Sequence, residues 1–294
     1  MTVTRSLTAR PVMAARARLG ECPVWDPDRQ RLYWVDIYNR RVHEFDPKTQ
    51  SDRSFEIGDV VPAIALAHRN RLLLALRNRL AFLHLDSGAV EPIRQLEFSL
   101  PGTRFNDGKC DPQGRFWIGT MSEQPGQATL YRYDANGSLH VMETGLTTSN
   151  GLGWSPDGAS FYLTDSHVRQ IYVYRFDART GAISDRRVLI NFSGDAPEPD
   201  GLTIDSRGHI WTALWNGWCI VHLDASGNEI ERIELPVQRP TSLAFGGPQL
   251  SDLYITSASV GLSQAEIQRG FEAGDLLCIS GAAEGVSSQR FAAS

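Results

Sequence analysis

The chain has 294 residues, enough for one large all-β domain or two ordinary domains, and its length alone does not choose between them. Hydrophobic residues make up 41% and charged residues 21% of the chain, the composition of a globular protein with a large core. The formal net charge of −5 provides no basic field for nucleic acid or an anionic membrane. We therefore expect neither as a partner.

The N-terminal residues lack the continuous apolar stretch of a signal peptide, and no segment approaches the roughly 18 apolar residues of a membrane span. We therefore expect a soluble, cytoplasmic protein. The four cysteines are widely spaced and form no CxxC or zinc-type pattern, so we expect reduced, buried thiols. They are Cys22, Cys110, Cys219 and Cys278.

Six similar segments follow one another along the chain, and each contains short alternating strands separated by Asp-Pro, Pro-Asp-Gly or Gln-Gly turns. Their starts are 39, 44, 44, 50 and 40 residues apart, which is the interval of a four-stranded propeller blade. The starts lie near Pro23, Pro62, Asn106, Asn150, Asp200 and Pro240. The sequence therefore predicts a single all-β domain over residues 1–294, a six-bladed β-propeller of four-stranded antiparallel blades.

Two segments fall outside this repeat. Residues of about 3–18 precede the first blade, and we expect an N-terminal outer strand there that closes the ring beside the last blade. The sixth unit is stretched by an insertion at 260–274, which holds the one candidate helix, a weakly patterned segment from Gln264 to Ala273.

Four units carry a polar side chain at the same repeat position, five residues before the residue that opens a turn. These side chains are Glu21, Asn106, Asn150 and Asp200. Because the first strand of each propeller blade runs beside the central channel, equivalent residues at the mouths of these strands converge at one face. The other two units place Pro62 and about Thr241 there.

A cation would resolve the repulsion among these side chains, since unpaired carboxylates are costly to bury. Oxygen donors suit Ca²⁺, Mg²⁺ or Mn²⁺, and carboxylates also bind Zn²⁺ or Fe²⁺. Glu21, Asn150 and Asp200 form the better trio of metal ligands, with Asn106 binding directly or through water. Any single Asn-Gly or Asp-Gly pair is normally a turn, so the shared register carries this prediction.

Further polar residues lie near this expected site. Arg104 precedes Asn106 by two residues and can lean over the pocket, and Glu123 and Gln124 follow a second strand that returns to the same face. We expect Arg104 to contact substrate, and we treat Glu123 as either a substrate contact or a solvated rim residue. The same rim should include Asp36, Asp165 with His167, and Trp215 with Asn216.

At these residues the chain resembles the family of gluconolactonase and regucalcin (senescence marker protein 30), six-bladed propellers that hydrolyse sugar lactones. The similar stretches, in chain order, are 20–23, 104–109, 119–121, 149–152 and 199–201. The resemblance implies that Glu21, Asn150 and Asp200 bind the metal and that Arg104 and Asn106 face the substrate. Where regucalcin-like members carry consecutive Glu residues, this chain has Ser122-Glu123-Gln124, so the acidic contact is lost or moved.

We therefore expect a metal-dependent lactonase that opens an aldonolactone such as glucono-, xylono-, galactono- or arabinonolactone, with Asp200 as general base. Two alternatives stay open. The same cation would serve another propeller esterase or a phosphotriesterase, and a non-enzymatic metal-binding propeller would bind the ion without hydrolysis. The absence of a Gly-x-Ser-x-Gly elbow disfavours a serine esterase. The preferred lactone, the native metal and the oligomeric state stay open.

Overall fold

The computed structural model describes residues 7–192, 194, 196–269 and 272–292, and within them the chain forms 24 strands and one helix. The first strands are β1 (Arg10–Met13), β2 (Gly20–Asp26), β3 (Arg31–Asp36), β4 (Arg41–Asp46), β5 (Ser51–Glu56), β6 (Ala63–Ala67), β7 (Arg71–Ala75), β8 (Arg79–His84) and β9 (Val90–Gln95). The next are β10 (Arg104–Cys110), β11 (Phe116–Met121), β12 (Ala128–Tyr133), β13 (Leu139–Leu146), β14 (Ser149–Trp154), β15 (Ser160–Asp165), β16 (Gln170–Asp177) and β17 (Ala182–Asn191). The last elements are β18 (Glu198–Ile204), β19 (Ile210–Trp215), β20 (Cys219–Leu223), β21 (Glu229–Glu234), β22 (Pro240–Gly246), β23 (Asp252–Ser257), α1 (Gln264–Arg269) and β24 (Leu276–Ile279).

These strands form six four-stranded antiparallel sheets in the described part of the chain. Blades one to five each use four consecutive strands: β2–β5, β6–β9, β10–β13, β14–β17 and β18–β21. The first strands of neighbouring blades contact one another in a closed ring, β2, β6, β10, β14, β18 and β22. The predicted six-bladed β-propeller is confirmed.

The sixth blade is completed by the N-terminal strand. Its order is β1-β24-β23-β22, and β1 pairs antiparallel with β24, with Arg10 opposite Cys278. The expectation that residues before the first blade supply the outer strand of the last one is confirmed. This pairing joins the two ends of the chain in one sheet, so the ring is closed by main-chain hydrogen bonds.

The core lies between adjacent blades. Trp117 of blade three packs edge-on against Trp154 of blade four, with ring centroids 5.7 Å apart. Trp25 and Trp211 are likewise almost fully buried, as expected for core side chains. All four cysteines are buried, as predicted, and none of them forms a disulfide in the described part of the chain.

The helix is shorter than the sequence pattern predicted. α1 begins with a capping box, in which Ser263 N donates to Glu266 Oε2 at 2.8 Å and Glu266 N donates to Ser263 Oγ at 3.3 Å. It ends at Arg269, residues 270–271 lie outside the described residues, and 272–274 form a turn. Within the described ranges, no helix has the length and apolar character needed to span a bilayer.

Candidate functional site

The first strands of five blades are irregular at the residues that the repeat register singled out. Pairing with the second strand of the blade shifts between Glu21 and Val24, Phe105 and Gly108, Asn150 and Leu152, Pro199 and Leu202, and Pro240 and Leu243. Blade two, which offers an apolar segment here, pairs regularly from Ala63 to Ala67. Because a β-bulge turns side chains out of their alternating directions, these irregularities aim the polar residues at the channel.

The inner strands approach closely at this level. A Cβ atom on Gly151 would lie 2.6 Å from Asp200 O and 2.7 Å from Leu202 N, so the neighbouring strand leaves no room for a side chain. Asn150 and Asp200 are therefore brought together from blades four and five. Asn150 Nδ2 donates to Asp200 Oδ1 in a short hydrogen bond, and it also donates to Ser166 Oγ at 3.0 Å.

The two carboxylates of the predicted trio also face one another. Burial, followed by the charges of Asp200 and Asp107, raises the pKa of Glu21 well above its ordinary value. Burial and the charge of Asp107 likewise raise the pKa of Asp200, against the hydrogen bond from Asn150. The structure thus brings Glu21, Asn150 and Asp200 to one buried, electronegative place, although 179 residues separate the first from the last.

The amide orientation of Asn150 leaves one atom free. Its nitrogen is used by Asp200 and Ser166, and its oxygen Oδ1 is buried without a hydrogen-bond partner among the described residues. A buried carbonyl oxygen without a donor costs roughly 1–3 kcal/mol. This oxygen and the carboxylates of Glu21 and Asp200 are the donor set that a hard divalent cation uses, so the residues present fit a metal ion.

Arg104 and Asn106 lie beside this trio on β10. Arg104 donates to Asn106 Oδ1 at 3.0 Å, and Asn106 Nδ2 donates to Ser149 O at 3.0 Å. Both amide atoms of Asn106 are therefore occupied. Arg104 is in hydrogen-bonding contact with the half-exposed Tyr38 and close to the Glu21 carboxylate, which places a cation at the edge of the pocket.

The chain matches the family model described as "SMP-30/Gluconolactonase/LRE-like region" over residues 19–259. The chain belongs to this family. The resemblance seen in the sequence motifs is thereby confirmed, and the matched region contains the four polar repeat positions together with Arg104 and Glu123.

Individual relatives cover nearly the same length. A pentonolactonase from Haloferax volcanii is 39% identical over 258 residues, 88% of this chain and 86% of that protein. A 6-deoxy-6-sulfogluconolactonase from Pseudomonas putida is 35% identical over 88% of this chain and 90% of its own. A regucalcin structure from Agrobacterium tumefaciens, titled a calcium-binding protein, superposes with a TM-score of 0.93 at 29% identity and covers 97% of this chain and 98% of its own.

Two charged residues in the channel, one buried and one partly buried, were not predicted from the sequence. Asp107 is buried next to Glu21, Asp200 and Lys109, and burial raises its pKa. Lys109 Nζ donates to Leu202 O at 2.9 Å, and burial lowers its pKa. In a regular strand Asn106 and Asp107 would point to opposite faces. The bulge between Phe105 and Gly108 turns both side chains to the channel, and the sequence pattern does not indicate this bulge.

Other residues expected on the rim have structural roles. Asp36 accepts hydrogen bonds from Arg18 N and Leu19 N, and Asp165 accepts them from Thr147 N and Thr148 N. Each carboxylate thus caps the segment that leads into the first strand of its blade. At the sixth repeat position, Thr241 Oγ1 donates to Gly20 O, so this hydroxyl joins two blades.

Glu123 lies on the loop after β11 and is exposed to solvent. A Cβ atom on Gly102 would lie 3.0 Å from Glu123 Cδ, so its carboxyl group packs against the turn that leads into Arg104. Whether Glu123 contacts substrate stays a prediction.

One further group of side chains can hold a metal ion. The ligand atoms of Asp205, His209 and His222 lie within 4.8 Å of one another in blade five. This group was not identified from the sequence, because His222 lies 13 residues from His209 and only strand pairing brings them together.

Proposed function

We propose that this protein hydrolyses the ester bond of a sugar lactone, using a divalent cation bound by Glu21, Asn150 and Asp200. The names of its relatives, a pentonolactonase and a 6-deoxy-6-sulfogluconolactonase, support a hydrolase of this class. The single observation from the structure that carries the metal site is the buried, unpartnered Oδ1 of Asn150 next to two carboxylates whose pKa values are raised by burial.

The products follow from the chemistry of the ester. Water adds to the lactone carbonyl carbon, the bond from that carbon to the ring oxygen breaks, and the ring oxygen leaves as a hydroxyl of the aldonic acid. A divalent cation, when bound, polarises the carbonyl and lowers the pKa of a coordinated water.

The remaining steps belong to residues of the chain. A carboxylate oxygen of Asp200, which is buried beside Glu21 and Asn150, accepts the proton of the attacking water as general base. Arg104 directs its N–H groups at the ring hydroxyls, and Asn106 holds Arg104 in place from β10. The carboxyl of Glu123 packs against the turn before Arg104, and we expect both to border the substrate pocket.

The experiment is a pH-indicator assay of lactone opening by metal-stripped protein. Ca²⁺, Mg²⁺, Mn²⁺, Zn²⁺ and Fe²⁺ are added back one at a time, and glucono-, xylono-, galactono- and arabinonolactone are compared. Restored turnover with at least one ion supports the proposal and identifies the metal and the lactone. Full activity of the stripped protein would refute metal dependence.

The same assay separates the alternative functions. Faster turnover of phenyl acetate or a phosphotriester than of any aldonolactone would favour another propeller hydrolase. Metal binding without turnover of any of these substrates would favour a non-enzymatic metal-binding propeller.

A further inference from the structure

A second group of ligand atoms lies in blade five, beyond the far end of the strand that carries Asp200. Asp205 follows β18 directly, His209 ends the turn into β19, and His222 lies on β20. Asp205 lies five residues beyond Asp200 along the strand, a distance of about 16 Å. The group is therefore separate from the proposed lactonase centre.

Three atoms of this group form a compact triangle. His209 Nδ1 and His222 Nε2 share a hydrogen bond of 3.0 Å, and Asp205 Oδ2 lies 3.7 Å from His209 Nδ1 and 3.8 Å from His222 Nε2. An ion bound among these atoms would replace the proton of that hydrogen bond. The point equidistant from the three atoms is about 2.0 Å from each, which is the bond length of Zn²⁺ to histidine nitrogen and carboxylate oxygen. The triangle thus has the dimensions of a metal site with three protein ligands.

The three side chains are held in this arrangement by their neighbours. Asp205 Oδ1 accepts hydrogen bonds at 2.9 Å from the main-chain N–H groups of Arg207 and His209, and Trp211 Nε1 donates to Asp205 Oδ2 at 3.1 Å. The ring of His222 stacks on Trp211, with centroids 3.9 Å apart. Such supporting contacts orient metal ligands before the ion binds.

In blade three, the equivalent turn has an arginine guanidinium bound to its buried carboxylate. Asp111 takes the place of Asp205, and Trp117 Nε1 donates to Asp111 Oδ2 at 3.0 Å as Trp211 does in blade five. Arg115, at the position of His209, binds Asp111 Oδ2 through Nε at 2.5 Å. Blade five presents two imidazoles to its buried carboxylate where blade three presents a guanidinium.

We propose that Asp205, His209 and His222 form a second metal site, specific for a transition-metal ion such as Zn²⁺, Co²⁺, Ni²⁺ or Cu²⁺. Two imidazoles and one carboxylate are ligands for these ions, whereas Ca²⁺ and Mg²⁺ prefer oxygen donors. The His209 side chain is 24% exposed and the His222 side chain 13%, so an ion can enter from solvent and keep water in its remaining positions.

The site is tested in the full chain carrying Asp200→Asn, which weakens the other proposed metal site. After metal removal, this variant should bind one equivalent of Zn²⁺ by calorimetry. The double variant Asp200→Asn with His209→Arg should bind one equivalent fewer than Asp200→Asn alone. Its fold should be kept, because Arg is the residue that blade three carries at this position. A titration with Cu²⁺ should give an electron paramagnetic resonance spectrum with coupling to two nitrogen nuclei, which an all-oxygen site cannot produce.

Two further variants control this experiment. His84 is an exposed histidine that pairs with one carboxylate, Glu91, at 3.0 Å, so His84→Gln in the same background should keep the equivalent of Zn²⁺. His222→Gln should lose it. If Zn²⁺ binds equally well after His209→Arg, or if the Cu²⁺ spectrum shows no nitrogen coupling, the second site is refuted.

Discussion

Replacing Asp200 by Asn should have opposite effects on activity and on the stability of the metal-free protein. The substitution keeps the shape of the side chain and an oxygen that can accept the hydrogen bond from Asn150. It removes the proton acceptor and one negative ligand, and loss of a general base typically costs about 10²–10⁴ in rate. That loss corresponds to about 2.7–5.5 kcal/mol of transition-state stabilisation. Turnover measured with saturating metal gives the magnitude.

The stability effect follows from the raised pKa of Asp200. Burial and the neighbouring Asp107 favour the protonated carboxyl in the folded protein, so the native side chain destabilises the fold once pH rises above the ordinary carboxyl pKa. Asn carries no charge at any pH. Metal-free Asp200→Asn should therefore melt at a higher temperature than the metal-free native protein at pH 8, and the difference should shrink towards pH 4.

Asp205→Asn is the matched control, since Asp205 lies five residues further along and is also buried. Its carboxylate accepts from three N–H groups, so an Asn amide would leave at least one buried donor unpaired, at a cost of about 1–3 kcal/mol. Its melting temperature should fall. The reasoning fails if metal-free Asp200→Asn also melts lower at pH 8, or if it retains near-native turnover.

Three further predictions use other features of the site. Binding of Mn²⁺ should strengthen as pH rises above about 4, because the raised pKa values of Glu21 and Asp200 make the ion compete with protons. A Mn²⁺ affinity that calorimetry finds independent of pH would contradict this prediction. Arg104→Lys should lower kcat/KM about 10–100-fold, since the contacts of a charged donor are worth about 1.5–3 kcal/mol; an unchanged kcat/KM would exclude a substrate contact. Gly119→Ala should destabilise the fold by about 1–3 kcal/mol, because its Cβ would lie 2.1 Å from Ser149 Oγ and 2.4 Å from Ser149 Cβ. In denaturant unfolding, adding Ser149→Gly to this variant should restore most of the lost stability. If the two substitutions instead change the free energy of unfolding additively, the clash is ruled out.

The repeat in the sequence was enough to predict the blade number and the residues at each strand mouth. This succeeded because a propeller blade is a local unit whose strands pair with their sequence neighbours, as β2–β5 do. The helix was predicted less well. Its pattern extended to Ala273, but the structured helix ends at Arg269, since a short exposed helix has no core contact to extend it.

Asp107 shows why part of the site could not be read from the chain. Strand alternation predicts that it points away from Asn106, and only the irregular pairing of β10 with β11 brings both to the channel. The triangle of Asp205, His209 and His222 depends in the same way on the pairing of Trp211 with His222 across two strands.

The sequence by itself determined the circular array and the polar residues that recur in it, because periodic spacing and turn chemistry are local properties of the chain. The tertiary structure decided which side chains meet: the mutual burial of Glu21, Asp107 and Asp200, the facing imidazoles of His209 and His222, and the Asn150 oxygen that has no hydrogen-bond partner among the described residues. These depend on side-chain direction at bulges and on contacts between strands, so no pattern along the chain specifies them.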